Sequence, residues 1–278
     1  MIKKESKAVL IGKYCLLIIY ALFILVPFIW ILYSSFRHES NLFTGLFFAN
    51  DGGFTMNNYL RAFSGANFGE FFINSFIIAG ITTIMVTLLS VLGAYALSRF
   101  DLKGKNIIIL SMLSANMFPH VLLIIPFFAV ISGLRLVDSY IGIIITHIIL
   151  GLPFGVWLIK GYFDGVPKSL DDAAKIDGLG PIDTLIKIII PVAAPGVVVT
   201  SFYAFMVSWG DFLFASIISA SSNTRTLPIG LSNFIGSTQI RWGSINAATV
   251  ITVIPTIMLF AFLQKWIVKG LSSGAVKG

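Results

Sequence analysis

Charge is what this sequence has least of. Asp, Glu, Lys and Arg make up 11% of its 278 residues, against roughly 25% in soluble domains, too few to cover a water-soluble globule of this size. Cysteine occurs once, as Cys15, so there is neither a disulfide framework nor a Cys-based metal site. The three histidines, His38, His120 and His147, are too scattered for a metal-ligand spacing. No G-x-x-x-x-G-K-[ST] loop is present, Gly104 and Lys105 lacking the earlier glycine, so the chain has no such cradle for ATP of its own. H-E-x-x-H and G-x-S-x-G are missing too, which removes the commonest zinc-hydrolase and serine-hydrolase signatures. Neither a tandem short-period repeat nor a low-complexity tract occurs. The formal charge of +7 does not point to nucleic acid, because the basic residues lie between apolar runs rather than in one patch.

Those apolar runs are what the chain has in abundance: 57% of it is hydrophobic, and runs of about 20 residues are long enough to cross a bilayer as helices. Six candidate spans lie at about 14–35, 71–97, 106–132, 139–160, 192–218 and 245–266. The expectation is an all-α membrane protein of one transmembrane domain over 1–278, since a β-barrel would show alternation in segments of about ten residues. Pro119, Pro126, Pro153 and Pro195 fall within or at the ends of these runs, where neighbouring helices can re-satisfy the freed backbone groups. The first run follows Lys3, Lys4, Lys7 and Lys13 as a signal peptide would, but it is long and Ser34, Ser35, Phe36 and Arg37 follow it in place of a small-x-small cleavage site, so an uncleaved span is expected. With six spans, fourteen of the 19 Lys and Arg fall on the side of the termini and of segment 167–191; Arg37, Arg61, Arg135, Arg225 and Arg241 fall on the other. The positive-inside rule then makes both termini cytoplasmic.

Segment 169–191, SLDDAAKIDGLGPIDTLIKIIIP, does not read as membrane. Ser169 followed by Asp172 has the spacing of a capping box, opening a helix over about 170–176. Gly178 offers the left-handed position that ends a helix, and Pro181 suits the first turn of a second one. That second helix has Ile182, Leu185, Ile186, Ile189 and Ile190 as its apolar face, with Asp183 and Lys187 opposite. Pro191 and Pro195 mark its exit. A short, small-surfaced helix–turn–helix suits insertion into a partner's cleft; an interfacial amphipathic linker without a partner has the same pattern.

The order Asp172-Ala173-Ala174, Asp177-Gly178, Ile188, Pro191, Pro195 resembles the EAA motif of importer-type ABC transporter permeases. LPFGVWLIKGYFDGVPKSL (152–170), SWGDFLFA (208–215), NTRTLPIGL (223–231) and GLSSGAVKG (270–278) are similar to the carbohydrate-uptake subfamily, in its MalG-like second-permease branch, over about residues 10–278. Asp172 stands where the family has Glu, Leu179 where it has Ala, and Leu185 where Phe is common. The resemblance implies a non-catalytic permease subunit that imports a sugar, a di- or oligosaccharide, by alternating access across a bacterial or archaeal cytoplasmic membrane. It implies a homologous second permease, two ATP-binding subunits that carry ATP and Mg, and an extracellular solute-binding protein. The ATPase-coupling residues would be Asp172, Ala173, Ala174, Asp177, Gly178, Leu179 and Gly180. Asn223, Thr224 and Arg225 are candidate contacts for the binding protein, and the tail 270–278 would reach the ATPases.

Polar groups inside spans are costly and mark functional candidates. Asn116 and His120, at i and i+4, share a face of span three and flank the helix-bending Pro119. Asp211 lies near Ser208, Trp209 and Phe212 in span five, and Asn74 opens span two. A sugar path needs such hydrogen-bonding groups and aromatic faces; polar glue between helices looks the same. His147 fits a buried hydrogen-bonder. Relatives in the implied family carry glycerol phosphates, but His120 and His147 are the only potential cations within the spans, which favours neutral sugars. The alternative is an ion-gradient-driven secondary transporter with Asp211 and His120 as a proton relay.

Overall fold

The computed structural model describes residues 7–39, 42, 53–65, 67–232, 234 and 240–275, with side chains as far as 266. Among the described residues the secondary structure is helical apart from an isolated bridge between Arg37 and Phe54. The helices are α1 (Lys7–Ser35), α2 (Asn57–Gly65), α3 (Phe68–Arg99), α4 (Lys105–Asn116), α5 (His120–Gly133), α6 (Tyr140–Asp164), α7 (Ser169–Ile176), α8 (Pro181–Thr184), α9 (Ile190–Val192), α10 (Ala194–Trp209), α11 (Leu213–Ile218), α12 (Leu227–Ser232) and α13 (Trp242–Ala275). Four of them, α1, α3, α6 and α13, are long and apolar enough to cross a membrane by themselves. Two bent helix pairs raise the number of candidate spans to six if each is one span. The α4 and α5 helices meet at 102°, and the stretch Pro181–Val192 meets α10 at 85°. The expected continuous span three is therefore broken. Pro119 has no N–H to donate and stands in an extended conformation (φ −57°, ψ 118°), which ends α4 three residues earlier. Span five, expected over 192–218, is likewise interrupted, at Ala193 and again at 210–212.

The chain forms two compact units. One comprises 1–66 with 231–253, the other 67–230 with 254–278. In the first, the Asn58 amide donates to the carbonyls of Ser35 (2.9 Å) and Arg37 (2.7 Å), fastening α2 to the end of α1. Gly243 lies so close to Asn58 that a Cβ there would sit 2.6 Å from its amide nitrogen, and the Gly243 N–H donates to Glu39. Asn50, Asp51 and Gly52, whose residue types alone suggest a turn, lie outside the described residues.

The second unit is built on α3, α6 and α10, which cross through small residues. An added Cβ on Gly155 would meet Ser90 Oγ at 2.5 Å and Thr200 Cγ2 at 3.3 Å; on Gly151, Val86 at 3.4 Å; on Gly196, the Tyr162 ring at 2.3 Å. Apolar side chains gain little by leaving lipid for protein, so close backbone approach and interhelical hydroxyl contacts such as Thr87 to Ser201 (3.0 Å) hold such crossings together. Gly155→Ala should lower stability by about 1–3 kcal/mol, read as a lower melting temperature of the detergent-solubilised protein. Adding Ser90→Ala, which removes the crowded Oγ, should recover most of the loss.

Candidate functional site

The helix–turn–helix forms as α7, a turn, and α8. Gly178 takes φ +77°, and the Leu179 N–H returns to the Ala174 carbonyl at 2.9 Å, a glycine-terminated helix end. Pro181 is at the first helical position of α8. Ser169 is not the cap that its spacing suggests. It is already helical, Lys168 precedes the helix, and neither makes a side-chain cap bond. Asp171 and Asp172 occupy the first turn, where their charge complements the helix dipole.

These two acids have different jobs. Asp172 points out and meets Lys175 at 3.2 Å in a pair with both side chains about 70% exposed, a contact worth little in water. Asp171 points in, to Arg99 at the end of α3. Arg99 Nε lies 3.0 Å from Asp171 Oδ2, with the two side chains 7% and 14% exposed; the N–H is not aligned with that oxygen, so the contact is an ion pair and not a directed hydrogen bond. The same guanidinium donates through Nη1 to the Phe163 carbonyl and through Nη2 to the Val166 carbonyl, both at 3.0 Å. Loss of either charge would strand the other, at a cost of about 3–5 kcal/mol. One turn up α3, the Tyr95 hydroxyl donates to the Pro181 carbonyl (3.1 Å), and Ser98 donates to Asp164 (2.7 Å). A cavity of about 310 Å³ between these groups is lined by Tyr95, Arg99, Lys168, Asp171, Asp172 and Lys175, among others.

Beyond Thr184 the chain does not continue as an α-helix. Leu185–Ile189 is a wider turn in which the Ile190 N–H bonds the Leu185 carbonyl, five residues back. Pro191 has no N–H for the Lys187 carbonyl, so the four-residue ladder could not have continued. Of the expected apolar face, Leu185 and Ile189 are buried against Val91, Tyr95, Ile159 and Phe163 of α3 and α6. Ile182 and Ile186 are exposed instead. Outward from the knob face Asp172, Ala173, Asp177, Gly178, Gly180 and Ile176, the last 87% exposed, whereas Ala174 is wholly buried. Leu179 is half-buried.

The polar residues of the spans fall into three separate places. Asn116 and His120 do not share a helix face, because the break at Pro119 separates them; both nevertheless line one cavity of about 680 Å³ with Ser111, Ser114, Phe118 and Phe127. His147 is fully buried in α6 and meets Ser208, near the end of α10, and Asp211, in the break that follows it. Its Nδ1 is 2.7 Å from Ser208 Oγ and its Nε2 is 3.1 Å from Asp211 Oδ2. With the proton on Nε2, Ser208 donates to Nδ1 and the ring donates to Asp211. Asp211 also accepts the Ala215 N–H at 2.8 Å, capping α11. Trp209 is buried, stacked on Phe205 with centroids 5.3 Å apart and edge-on to Phe72; Phe212 is exposed.

Asn74, at the opposite end of α3 from Arg99, donates to the carbonyls of Asn223 (3.0 Å) and Arg225 (2.9 Å) and accepts from Tyr140. Ser75 accepts the Leu227 N–H at 2.7 Å. Asp138 holds the same loop through the N–H groups of Ala220 (3.1 Å) and Ser221 (3.0 Å) and through the Thr224 hydroxyl. Segment 219–227 is thus pinned, with Asn223 exposed, Arg225 half-buried and Thr224 turned inward. The Thr224 hydroxyl first, then the Ser221 N–H, lower the Asp138 pKa from 3.8 to about 2. Because this pKa is depressed, the anchor is fully present above about pH 4 and is lost as pH falls through about 2. The protection factors of the Ala220 and Ser221 amides, exchange rates corrected for the intrinsic pH dependence, should therefore be unchanged from pH 7 to 5, and lower throughout that range in Asp138→Asn.

The sequence reading missed Asp171, Arg99, Tyr95, Asp138 and the exposure of Ile176. The doubled acid at 171–172 was the available signal, since one of two adjacent helical acids can face the chain when the other faces out. Among the described residues no three His, Cys, Asp or Glu side chains gather to hold a metal.

Comparison with known proteins places these features in context. Residues 87–273 match the family described as binding-protein-dependent transport system inner membrane component. The chain is 34% identical over 270 residues to the inner membrane ABC transporter permease protein YcjP of Escherichia coli K12, covering 96% of each chain. It is 37% identical over 264 residues to the trehalose/maltose transport system permease protein MalG of Thermococcus litoralis, covering 94% of each. Its fold is similar to that of a chain in the crystal structure of a bacterial ABC transporter involved in the import of the acidic polysaccharide alginate. The TM-score is 0.79 at 23% identity, over 94% of this chain and 98% of that one.

Proposed function

The chain belongs to the family of binding-protein-dependent transport system inner membrane components, and from that membership we propose that it is one permease of a sugar importer whose ATPases push on the α7–α8 knob. It is a multi-pass, non-catalytic subunit. The knob carries this reading: two short helices around Gly178, bonded to α3 on one side and presenting Ile176, Ala173 and Asp177 on the other. Large apolar side chains exposed on a polar knob mark contact surfaces, and Ile176 is the anchor that fits a partner's cleft. The ATPase partners bind ATP and Mg. The knob and both termini lie on their, cytoplasmic, side, in line with the bias of Lys and Arg.

On the outer side, the pinned loop 219–227 presents Asn223 and Arg225 to the binding protein. The substrate is a neutral di- or oligosaccharide, a class that includes the trehalose and maltose in the name of the Thermococcus relative. Asn116 and His120 line its path. Their cavity combines amide, imidazole and hydroxyl groups with aromatic walls, which suits hydroxyls and the apolar face of a pyranose ring. Asn74, Trp209 and Asp211 shape the frame around the path. The second permease supplies the other wall.

Gentle solubilisation of the tagged chain from its host should recover a second permease and a P-loop ATPase. The Ala174→Pro variant, which breaks α7, should retain the permease and lose the ATPase. Ile176→Asp should weaken ATPase association about tenfold or more, as expected for a central apolar anchor. A chain that purifies alone and moves trehalose or maltose into liposomes without ATP would replace this reading with the gradient-driven one.

A further inference from the structure

We propose that the Arg99–Asp171 pair is the joint that makes the knob and α3 one moving body, so that a push on α7 is delivered directly to the transmembrane core. This rests on the importer reading above and adds to it the residues that transmit the push. Arg99 is a positioning residue, and its geometry is that of a rivet. One guanidinium takes the Phe163 carbonyl at the end of α6, the Val166 carbonyl in the link beyond it, and the first turn of α7 at Asp171. The chain therefore leaves α6 and enters α7 under the same side chain. Tyr95 holds the other arm at Pro181, so both arms of the knob are fixed to the last two turns of α3. Leu185 and Ile189 are seated in the apolar cluster beneath.

Charge makes this joint hard to open, because a separated partner is left buried and uncompensated. Arginine is required for it. A lysine could pair with Asp171 but has no rigid fork to reach two carbonyls at once. The helix it ends is suited to carrying displacement. Helices α1, α6 and α13 contain Pro27, Pro153 and Pro255, and the other candidate spans are bent helix pairs. By contrast α3 runs unbroken for 32 residues without proline, a rod of about 48 Å at about 1.5 Å per residue. Its far end grips loop 219–227 through Asn74 and Ser75. A displacement applied at Asp171 thus arrives at the surface proposed to meet the binding protein.

The test is a distance measurement in the complete transporter in nanodiscs, with Cys15→Ser and spin labels on Leu92→Cys in α3 and Ser169→Cys at the start of α7, both exposed positions. The probe is ATP with magnesium and vanadate. With the pair intact, the label-to-label distance should keep its mean and width when the nucleotide is trapped. Asp171→Asn, an isosteric change, and Arg99→Gln should each broaden or shift it on trapping, and the double variant should do so no more than the worse single. A purely stabilising role would lower the yield of assembled complex without changing the distance within it. An intact transporter whose distance shifts as much as the variants', or variants that stay as tight as the intact pair, would overturn the proposal. Failure of any ATPase to co-purify with the unlabelled, unsubstituted chain would instead overturn the importer reading, before any label is compared.

Discussion

A bilayer has no hydrogen bond to offer a backbone amide or carbonyl. Every helix break inside it has to be answered by another part of the protein, and in this chain the answers are where the chemistry is. The break at Pro119 opens the cavity lined by Asn116 and His120. The interruption at 210–212 is closed by Asp211, which caps α11 and is itself held by His147 from the neighbouring helix. The break at Ala193 lies between two prolines, Pro191 and Pro195, and follows the wide turn that leads out of the knob. Only a helix with no break can be stiff along its whole length, and α3 alone among the long apolar helices has neither break nor proline.

The contacts of α3 change character along its length. At the Asn74 end they are directional, amide to carbonyl, and they fix a loop whose own backbone would otherwise seek water. In the middle they are steric, glycines and hydroxyls that let α6 and α10 come close. At the Arg99 end they are ionic. That order follows the surroundings. A charge is least costly near the aqueous boundary, hydroxyls are small enough for close crossings in the apolar middle and some, such as Ser201 to Val197, bond their own helix, and neutral amides suit a partly dry loop contact.

Much of this was legible in the residues before the structure. Run length and the distribution of Lys and Arg are bulk properties, and the helical spans follow from them. Gly178 and Pro181 carry their turn in their own covalent geometry, and the structure has both where the pattern puts them. What was not legible depends on partners distant in the chain. Asp171 and Asp172 are identical in local context, and only the approach of Arg99 distinguishes them. Asn116 and His120 at four-residue spacing suggested one helix face, because a proline in a membrane run can equally be absorbed as a mild kink or, as here, end the helix. The apolar face of the second knob helix was drawn at 100° per residue, and the wide turn at 185–189 shifts that phase, which is why Ile182 and Ile186 are exposed. Asn74 and Asp211 stand out in the sequence as polar residues in greasy surroundings. That property identifies costly residues without saying whether the cost is offset by a ligand or by a neighbouring loop and helix end.

The wide turn has a last consequence. With the Ile190 N–H reaching five residues back to Leu185, the stretch holds one residue more than regular coiling would need, and one residue is about 100° of rotation about a helix axis. Shortening 185–189 by a single residue would let the coil close and swing everything before it around the axis by about that angle, carrying Ile176 and Asp172 to a different azimuth. Every side chain of that exposed face would still be there, pointing another way. The surplus residue is an indexing mark: it sets the compass bearing of the exposed face of α7, independently of what that face is made of.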